Sequence, residues 1–366
     1  FGCPSSRSQR RFVLLAQLGW TPALEEQFAP FAADGLEPAR VAVEHRGAYV
    51  LYTHDGAERP AELSGRLRHT VGERGDLPAV GDWVAVADPD GAERALVQAV
   101  LPRRTKFSRM AATDHGQTVE QVVAANVDVV FLTAGLDGDF NVRRLERYLT
   151  LGWESGASPV VVLTKVDLCD DVDAALLAVE SVAVGVPVHA VSNVTGDGVD
   201  ELAHYLVVGR TVAALGSSGV GKSSLLNRLA GEELMATGEV KPDGRGRHTT
   251  TNRQLLLLPG GGLFLDTPGM RELRLWESEE GLVATFDDVA AAAARCRFGD
   301  CSHESEPGCG VRAALADGSL DPERYASWKK LQGELRHLAI KQDARLRSDA
   351  RKEWRRAERS RRKASW

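Results

Sequence analysis

The most constraining feature of the chain is the segment Gly216-Ser-Ser-Gly-Val-Gly-Lys-Ser223, which matches the phosphate-loop pattern G-x-x-x-x-G-K-[ST]. An apolar run over 211–215 leads into it, and a helix is predicted to begin near Lys222. Glycines allow backbone N–H groups to curl around phosphate oxygens, and the helix N-terminus adds positive partial charge. The residues expected to bind the nucleotide are Gly216, Ser217, Ser218, Gly219, Val220, Gly221, Lys222, Ser223 and Ser224.

The roles of two of these side chains follow from phosphate chemistry. Lys222 is expected to contact the β- and γ-phosphates, and the Ser223 hydroxyl is expected to ligate Mg²⁺. Asp266 directly follows a predicted strand over 263–265 and is expected to hold Mg²⁺ through water. The N–H of Gly269, three residues further on, is expected to contact the γ-phosphate.

The glycine-rich polar segment over 244–251 lies between these two motifs. Its composition is typical of a loop that the γ-phosphate and Mg²⁺ bring into order. Thr250 is the hydroxyl in it that we expect to reach the metal. An ordinary surface loop is the alternative interpretation of this segment taken alone.

Strands alternate with helices around the phosphate loop, which predicts a parallel sheet covered on both faces over 126–278. The predicted strands are 127–133, 159–164, 187–191, 211–215 and 263–265, and the predicted helices are 141–155, 172–184 and 199–206. The fold class is therefore α/β.

Five short β-rich runs over 38–105 predict a small barrel, OB-like rather than SH3-like, after an N-terminal extension over 1–37. Residues 106–125 have no clear periodicity and are interpreted as a linker.

A base-reading site is predicted after the strand at 159–164. Guanine presents N1–H and N2–H₂ donors, and a carboxylate supplies the matching pair of acceptors. In Thr164-Lys165-Val-Asp167 the Asp167 carboxylate would take the guanine edge, and the Lys165 stem would lie along the base plane. Ser192, after the strand at 187–191, would support the base loop. Together with the phosphate loop, these residues favour guanine over adenine.

The order of these motifs is unusual, because the base reader precedes the phosphate loop along the chain. Most GTPases have the opposite order. The same sheet forms if the former termini are joined and new ones are opened elsewhere, as in circular permutation. The sequence therefore predicts a circularly permuted GTPase domain.

The cysteines predict a structural metal site. The chain has five Cys and no apparent signal peptide, which fits a reducing cytosol better than a disulfide scaffold. Cys296, Cys301, His303 and Cys309 offer three thiolates and one imidazole, a closed tetrahedral shell for one Zn²⁺. This helical zinc-binding domain is predicted over 279–340. Three free thiols in a helical segment are the alternative.

Charge is unevenly distributed along the chain. The total is −6, but residues 341–366 carry eleven Lys+Arg and four Asp+Glu, a net of +7, which leaves −13 for 1–340. A basic C-terminal tail favours an RNA contact through counterion release, although a solvated helix face is the alternative. No apolar run reaches the length of a membrane span, so we expect no membrane partner.

From about residue 35 to about 340 the chain resembles the circularly permuted GTPases, and within them the RsgA (YjeQ) small-subunit-dependent GTPases. The resemblance is carried by Gly81-Asp-Trp-Val, the segment 244–251, Asp266-Thr-Pro-Gly269 and the Cys/His spacing. It implies binding to the 30S ribosomal subunit and 16S rRNA, assistance in late 30S maturation, and GTP hydrolysis to GDP that the 30S subunit stimulates. We expect a cytoplasmic monomer.

Two positions depart from common GTPase patterns. Thr164 stands where the family usually has Asn, which leaves one hydrogen-bonding group in place of two. Met270 follows Gly269, where Ras-like enzymes place a water-orienting Gln. Related permuted GTPases share that apolar residue, so hydrolysis is expected to be slow until another group orients the water. His248 is our candidate for that group, and a loop histidine with only a structural role is the alternative.

Two other functions remain open from the sequence. One is a GTP-regulated RNA-binding module with little hydrolysis, which turnover with and without 30S subunits distinguishes. The other is a phosphate-loop ATPase or small-molecule kinase, in which Asp167 has no base-reading role.

Overall fold

The computed structural model describes residues 15–45, 47–71, 74–88, 92–112, 118–138, 140–235, 253–266 and 279–342. Helix α1 (Pro22–Ala33) precedes five strands, which are β1 (Glu37–His45), β2 (Ala48–Thr53), β3 (Glu58–Leu63), β4 (Trp83–Ala87) and β5 (Ala95–Val100). They pair in the order β1-β2-β3-β5-β4, and β4 pairs back to β1. Only the β3–β5 pair is parallel among these five, and helix α2 (Gly65–Thr70) connects β3 towards β4. The predicted OB-like barrel is confirmed.

The N-terminal segment packs against the barrel. Thr21 caps α1 by accepting a hydrogen bond from the Leu24 N–H, and Phe28 is the residue that α1 buries. The Trp20 ring meets the buried Trp83 ring edge-on at 4.7 Å between centroids. This aromatic contact fixes α1 against β4 of the barrel.

The described residues of the segment 106–125 form strands, contrary to the irregular linker that the sequence predicted. Strands β6 (Lys106–Ala112) and β7 (Thr118–Ala125) form an antiparallel pair of their own. Phe107 and Val122 are buried, whereas the middle of β6 is only half-buried. The apolar side chains cluster at one end of the hairpin, so no alternation runs along it for a sequence pattern to detect.

The central sheet follows. Its strands are β8 (Val129–Gly135), β9 (Ser158–Thr164), β10 (Val188–Ala190), β11 (Thr211–Gly216), β12 (Arg253–Leu257) and β13 (Leu263–Asp266). Its α-helices are α3 (Val142–Ser155), α4 (Val172–Glu180) and α5 (Lys222–Ala230). Short 3₁₀ helices occur at Arg74–Asp76, Val166–Leu168 and Val199–Tyr205, the last where an α-helix was predicted.

The inner strands β8, β9, β11 and β13 are largely buried, as their apolar runs predict, whereas β10 and β12 are only partly buried. Val130 and Leu132 of β8 belong to the core that contains α3, whereas Val129 and Phe131 belong to the core that contains α5. Strand β8 begins two residues later than predicted, and Asn126, three residues before its start, has a φ of 54°.

The spatial order of the sheet is β10-β9-β8-β11-β13-β12, with β12 antiparallel to β13 and the other pairs parallel. The carboxyl ends of β9, β10, β11 and β13 therefore lie at one edge. In an open parallel sheet this edge is where ligands bind.

The barrel and the central sheet are hydrogen-bonded to each other. Strand β12 pairs antiparallel with β1, so the two units form one continuous sheet of eleven strands. An ion pair of 3.0 Å between Arg253 and Glu44 reinforces this junction. The sheet is continuous across the β1–β12 pairing, so it does not mark where one domain ends and the next begins. The domain boundaries given by the sequence therefore stay a prediction.

The C-terminal part is helical in the described residues. Its helices are α6 (Glu279–Thr285), α7 (Asp287–Ala293), α8 (Gly310–Ala316) and α9 (Pro322–Gln342). Helix α9 ends two residues into the predicted basic tail, and the rest of that tail lies outside the described residues. Within the described ranges, no helix combines the length and apolar composition that crossing a membrane requires.

Candidate functional site

The phosphate loop lies between β11, which is buried throughout, and α5. Gly219 and Gly221 have φ values of +76° and +93°, a region that side chains disfavour. A Cβ on Gly216 would lie 2.4 Å from the Thr133 carbonyl oxygen. The glycines are therefore required both by backbone conformation and by the close approach of β8.

Lys222 and Asp266 lie at the same edge of the sheet. The Lys222 ammonium donates to the carbonyls of Gly216 and Ser217 at 2.9 and 2.6 Å, so it lies over the loop. Asp266 ends β13, which pairs with β11. Burial raises the pKa of the Asp266 carboxyl, and the charge of Lys222 opposes that shift. Ser223 and Ser224 occupy the first turn of α5.

The predicted base-reading residues are adjacent in the structure. Asp167 lies in the 3₁₀ helix that follows β9, and Lys165 before it has a φ of +62°. The Ser192 hydroxyl donates to Asp167 at 2.5 Å and accepts the N–H groups of Val194 and Thr195. Ser192 thereby holds both the carboxylate and its own loop, so the two base loops form one unit.

Thr164, the first residue of the predicted base reader, is fully buried. Its hydroxyl donates to the Val220 carbonyl of the phosphate loop at 2.6 Å. The base-reading loop is thus attached directly to the phosphate loop, and the structure brings together the described members of the predicted site.

His248, Thr250, Gly269 and the segment 244–251 lie outside the described residues.

Four side chains at this edge were missed by the sequence reasoning. Asp137, just after β8, forms an ion pair of 2.5 Å with Lys165. Asn193 donates to the Gly221 carbonyl at 3.0 Å. Asp137 and Asn193 each follow a strand at its carboxyl end, and that position was the available signal.

The other two missed side chains lie on α3 and contact the phosphate loop. The Arg144 guanidinium donates to the Ser217 hydroxyl at 2.9 Å, and the Tyr148 hydroxyl lies 3.2 Å from the same oxygen. The i, i+4 spacing places both on one face of the helix. That spacing could have been noticed in the sequence, but the sequence did not indicate what this face contacts.

The predicted metal ligands converge between α7 and α8. The ligand atoms of Cys296, Cys301, His303 and Cys309 all lie within 4.8 Å of one another. The Cys296 and Cys309 sulfurs are 3.9 Å apart, and each lies 3.5 Å from His303 Nδ1. Tetrahedral zinc with bonds of about 2.3 Å to sulfur places sulfurs about 3.8 Å apart, so the donor set fits this ion.

Buried ion pairs join the C-terminal helices to α3. Glu146 of α3 is fully buried, and Arg324 of α9 contacts its carboxylate at 3.1 Å. Arg324 also contacts Asp288 of α7 at 2.6 Å. A half-buried ion pair of 2.8 Å between Arg147 and Glu334 adds a further contact between α3 and α9. Helix α3 therefore contacts the phosphate loop and the metal-binding unit at once.

Comparison with known proteins identifies relatives along nearly the whole chain. The family model described as RsgA GTPase matches residues 100–276. A protein of Opitutus terrae named small ribosomal subunit biogenesis GTPase RsgA is 51% identical over 352 residues, covering 93% of this chain and 95% of that protein. A protein of the same name from Streptomyces coelicolor is 44% identical, covering 96% and 95%.

Solved structures agree with this assignment. The crystal structure of YjeQ from Thermotoga maritima matches with a TM-score of 0.61 and 29% identity over 82% of this chain and 98% of that one. The structure of YloQ, titled a circularly permuted GTPase, matches with a TM-score of 0.57 and 24% identity over 82% and 96%, a likeness of fold alone. On the identity and coverage of these relatives, the chain belongs to the RsgA GTPase family.

Proposed function

We propose that this GTPase binds the small ribosomal subunit and assists its biogenesis, with Mg²⁺-dependent hydrolysis of GTP at the carboxyl edge of the central sheet. The relatives named small ribosomal subunit biogenesis GTPases support the partner. The observation that carries the proposed site is the joining of the base-reading and phosphate loops through Thr164 and Val220.

At this site each side chain has a distinct proposed task. The Asp167 carboxylate accepts the guanine N1–H and N2–H₂, and Ser192 keeps that carboxylate in place. Lys222 neutralises the β- and γ-phosphates, while Ser223, Thr250 and Asp266 hold Mg²⁺ directly or through water. Lys165 lies along the base. Because phosphoryl transfer needs little covalent help from the protein, positioning and charge neutralisation supply most of the catalysis.

The attacking water needs a group to orient it. We propose His248 for this task, and the N–H of Gly269 as the contact to the γ-phosphate. Met270 has no hydrogen-bonding group for the water, which supports slow hydrolysis in the absence of the subunit. His248→Ala is expected to retain GTP binding and lose subunit-stimulated turnover. Full stimulated turnover in this variant would exclude His248.

We propose that Cys296, Cys301, His303 and Cys309 hold one zinc ion. Four protein ligands close the shell, so the ion would supply structural stability without an open position for catalysis. The N–H groups of Gly310 and Arg312 donate to the Cys296 and Cys309 sulfurs at 3.3 and 3.4 Å, which supports thiolate ligands at both positions.

We propose 16S rRNA as the surface that the chain contacts, with the basic tail as one contact. We further propose that it acts as a monomer in the cytoplasm, where small subunits are assembled. Sedimentation of the chain alone and with 30S subunits measures both the oligomeric state and the complex.

GTP turnover measured across a titration with purified 30S subunits tests the function. Turnover is expected to rise until the subunit saturates, and Lys222→Ala is expected to remove both the basal and the stimulated rates. A rate that is independent of subunit concentration, despite binding, would favour the GTP-regulated RNA-binding module. Competition of GDP against ADP tests the guanine preference.

A further inference from the structure

Two side chains on the base loops hold consecutive carbonyls of the phosphate loop. The Thr164 hydroxyl, at the carboxyl end of β9, donates to the Val220 carbonyl at 2.6 Å. The Asn193 amide nitrogen, on the loop after β10, donates to the Gly221 carbonyl at 3.0 Å. Both base loops are therefore attached to the phosphate loop by side chains, in addition to the sheet below them.

Gly221 is the point where these contacts converge. A Cβ at this position would lie 2.7 Å from Asn193 Nδ2 and 4.0 Å from Thr164 Oγ1. The lack of a side chain at Gly221 is what allows the Asn193 amide to reach the loop backbone. Because only the nitrogen of that amide can donate to a carbonyl, the contact also fixes the orientation of the amide.

The loop that carries Asn193 is held from two further directions. Arg228 of α5 donates to the Thr195 carbonyl at 3.0 Å. Ser192 donates to Asp167 at 2.5 Å. Residues 192–195 thus lie between the base-reading carboxylate and the helix that extends the phosphate loop, so they are placed to set the distance between the two.

The Asn193 side chain is not fully paired. Its Oδ1 atom is buried and accepts no hydrogen bond within the described part of the chain. Native proteins leave few buried acceptors unpaired, and those that remain need an explanation. A buried acceptor without a partner destabilises the folded protein, so packing alone does not explain an amide at this position. A role in the nucleotide site does explain it.

We propose that Asn193 is a positioning residue for guanine nucleotides, sharing with Thr164 the attachment of the base loops to the phosphate loop. The inference rests on the proposed role of Asp167. Thr164 reaches one carbonyl of the phosphate loop, and Asn193 supplies the second hydrogen bond to that loop from the neighbouring base loop. These hydrogen bonds fix the spacing between Asp167 and the phosphate loop before the nucleotide binds. The loops therefore lose less conformational entropy when one nucleotide contacts Asp167 and the phosphate loop together.

The affinity for GDP and the kinetics of GTP hydrolysis test this role. Loss of one such hydrogen bond is expected to weaken GDP binding about tenfold in Asn193→Ala. The kcat at saturating GTP should stay unchanged, because the amide acts on binding. Asn193→Asp keeps the side-chain shape but places a carboxylate oxygen opposite the Gly221 carbonyl, so it should weaken GDP binding at least as much.

A rescue variant separates positioning from general stability. Asparagine at 164 has a longer side chain with an amide donor, so Thr164→Asn in the Asn193→Ala background should restore most of the lost affinity. Ser181→Ala is the control, since its hydroxyl bonds the Ala178 carbonyl at the end of α4, outside both base loops, at 2.8 Å. It should bind GDP as the unmodified chain does.

The outcomes distinguish this inference from the proposed function. If the unmodified chain binds GDP and both Asn193 variants bind it equally well, the positioning role is wrong while the proposed function stands. Equal losses in Asn193→Ala and Ser181→Ala would also overturn it. Failure of the unmodified chain to bind GDP would overturn both.

Discussion

At the scale of single residues, short hydrogen bonds hold the base loops and the phosphate loop in place relative to one another. Ser192 is fully buried and links Asp167 to the backbone of its own loop. A hydrogen bond to a charged group is stronger than one between neutral groups, because the carboxylate carries a full charge. The orientation of the Asp167 carboxylate is therefore set by the neighbouring loop.

Ser192→Ala removes the donor to Asp167 and the acceptor for two loop amides. GDP binding is expected to weaken between about tenfold and a hundredfold, since hydrogen bonds to charged groups contribute about 1.5–3 kcal/mol. Titration calorimetry measures the effect. Ser181→Ala is the control, because its hydroxyl bonds only the Ala178 carbonyl at the end of α4. Unchanged GDP affinity in Ser192→Ala would contradict this account.

At the scale of elements, helix α3 has two functional sides. Arg144 and Tyr148 contact the phosphate loop at Ser217. Glu146 faces α9 and is buried there beside Arg324. A buried carboxylate destabilises the folded protein unless it is paired, so removing Arg324 alone should destabilise the interface. Replacing both Glu146 and Arg324 by apolar residues would be better tolerated, because no unpaired charge would be left behind.

Arg324→Met leaves the buried Glu146 carboxylate with Arg143 as its remaining charged partner. The packing of the C-terminal helices on α3 is expected to lose about 3 kcal/mol, the lower end for breaking a buried pair. Urea unfolding measures this loss. Lys329→Met is the control, since its 3.0 Å pair with Glu304 is exposed and should contribute no measurable stability. Equal unfolding midpoints for the two variants would count against the prediction.

The cysteine cluster belongs to the same scale because it connects α7 to α8. Cys309 caps α8 by accepting the Arg312 N–H and is itself buried. Loss of a ligand therefore removes both a metal contact and a fixed turn.

Cys301→Ser is expected to lose the bound zinc and to lower the thermal midpoint, as the metal stabilises only the folded state. Elemental analysis and thermal unfolding measure the two effects. Cys169→Ser is the control, because Cys169 is a free thiol outside the cluster. Full zinc content in Cys301→Ser would exclude the proposed ligand set.

At the scale of the whole molecule, the barrel and the central sheet form one surface. The β1–β12 pairing places the barrel beside β12, and β12 pairs in turn with β13, the strand that ends at Asp266. The net charge, in contrast, is split between two regions of the chain, with −13 over 1–340 and +7 over 341–366. An acidic body with a basic tail confines electrostatic attraction for RNA to one region.

Deletion of 343–366 keeps α9 and removes ten Lys+Arg against four Asp+Glu. Binding to 30S subunits is expected to weaken at low salt. The slope of log affinity against log salt should become less steep, by roughly one unit for each phosphate that the tail neutralises. Sedimentation at several salt concentrations measures this slope. The same slope with and without the tail would rule out the tail as an RNA contact.

The sequence by itself determined the features that depend on local chemistry. The phosphate loop, the Asp167 loop and the Cys/His residues each lie within one short segment. Their spacing predicted a phosphate site and a metal site, and the phosphate loop together with Asp167 predicted a guanine site. Motif order predicted the permuted sheet, because parallel strands must end at a common edge to bring such loops together. The barrel was predicted from five short β-rich runs in close succession.

Only the tertiary structure decided the features that join distant segments. The β1–β12 pairing joins strands about two hundred residues apart, and strand pairing between distant segments leaves no periodicity in either one. The hairpin at 106–125 escaped prediction because its buried residues cluster at one end. Asn193 and Arg144 owe their places at the phosphate loop to packing across the sheet. Side-chain contacts between loops depend on how the strands beneath them are ordered, which no single segment encodes.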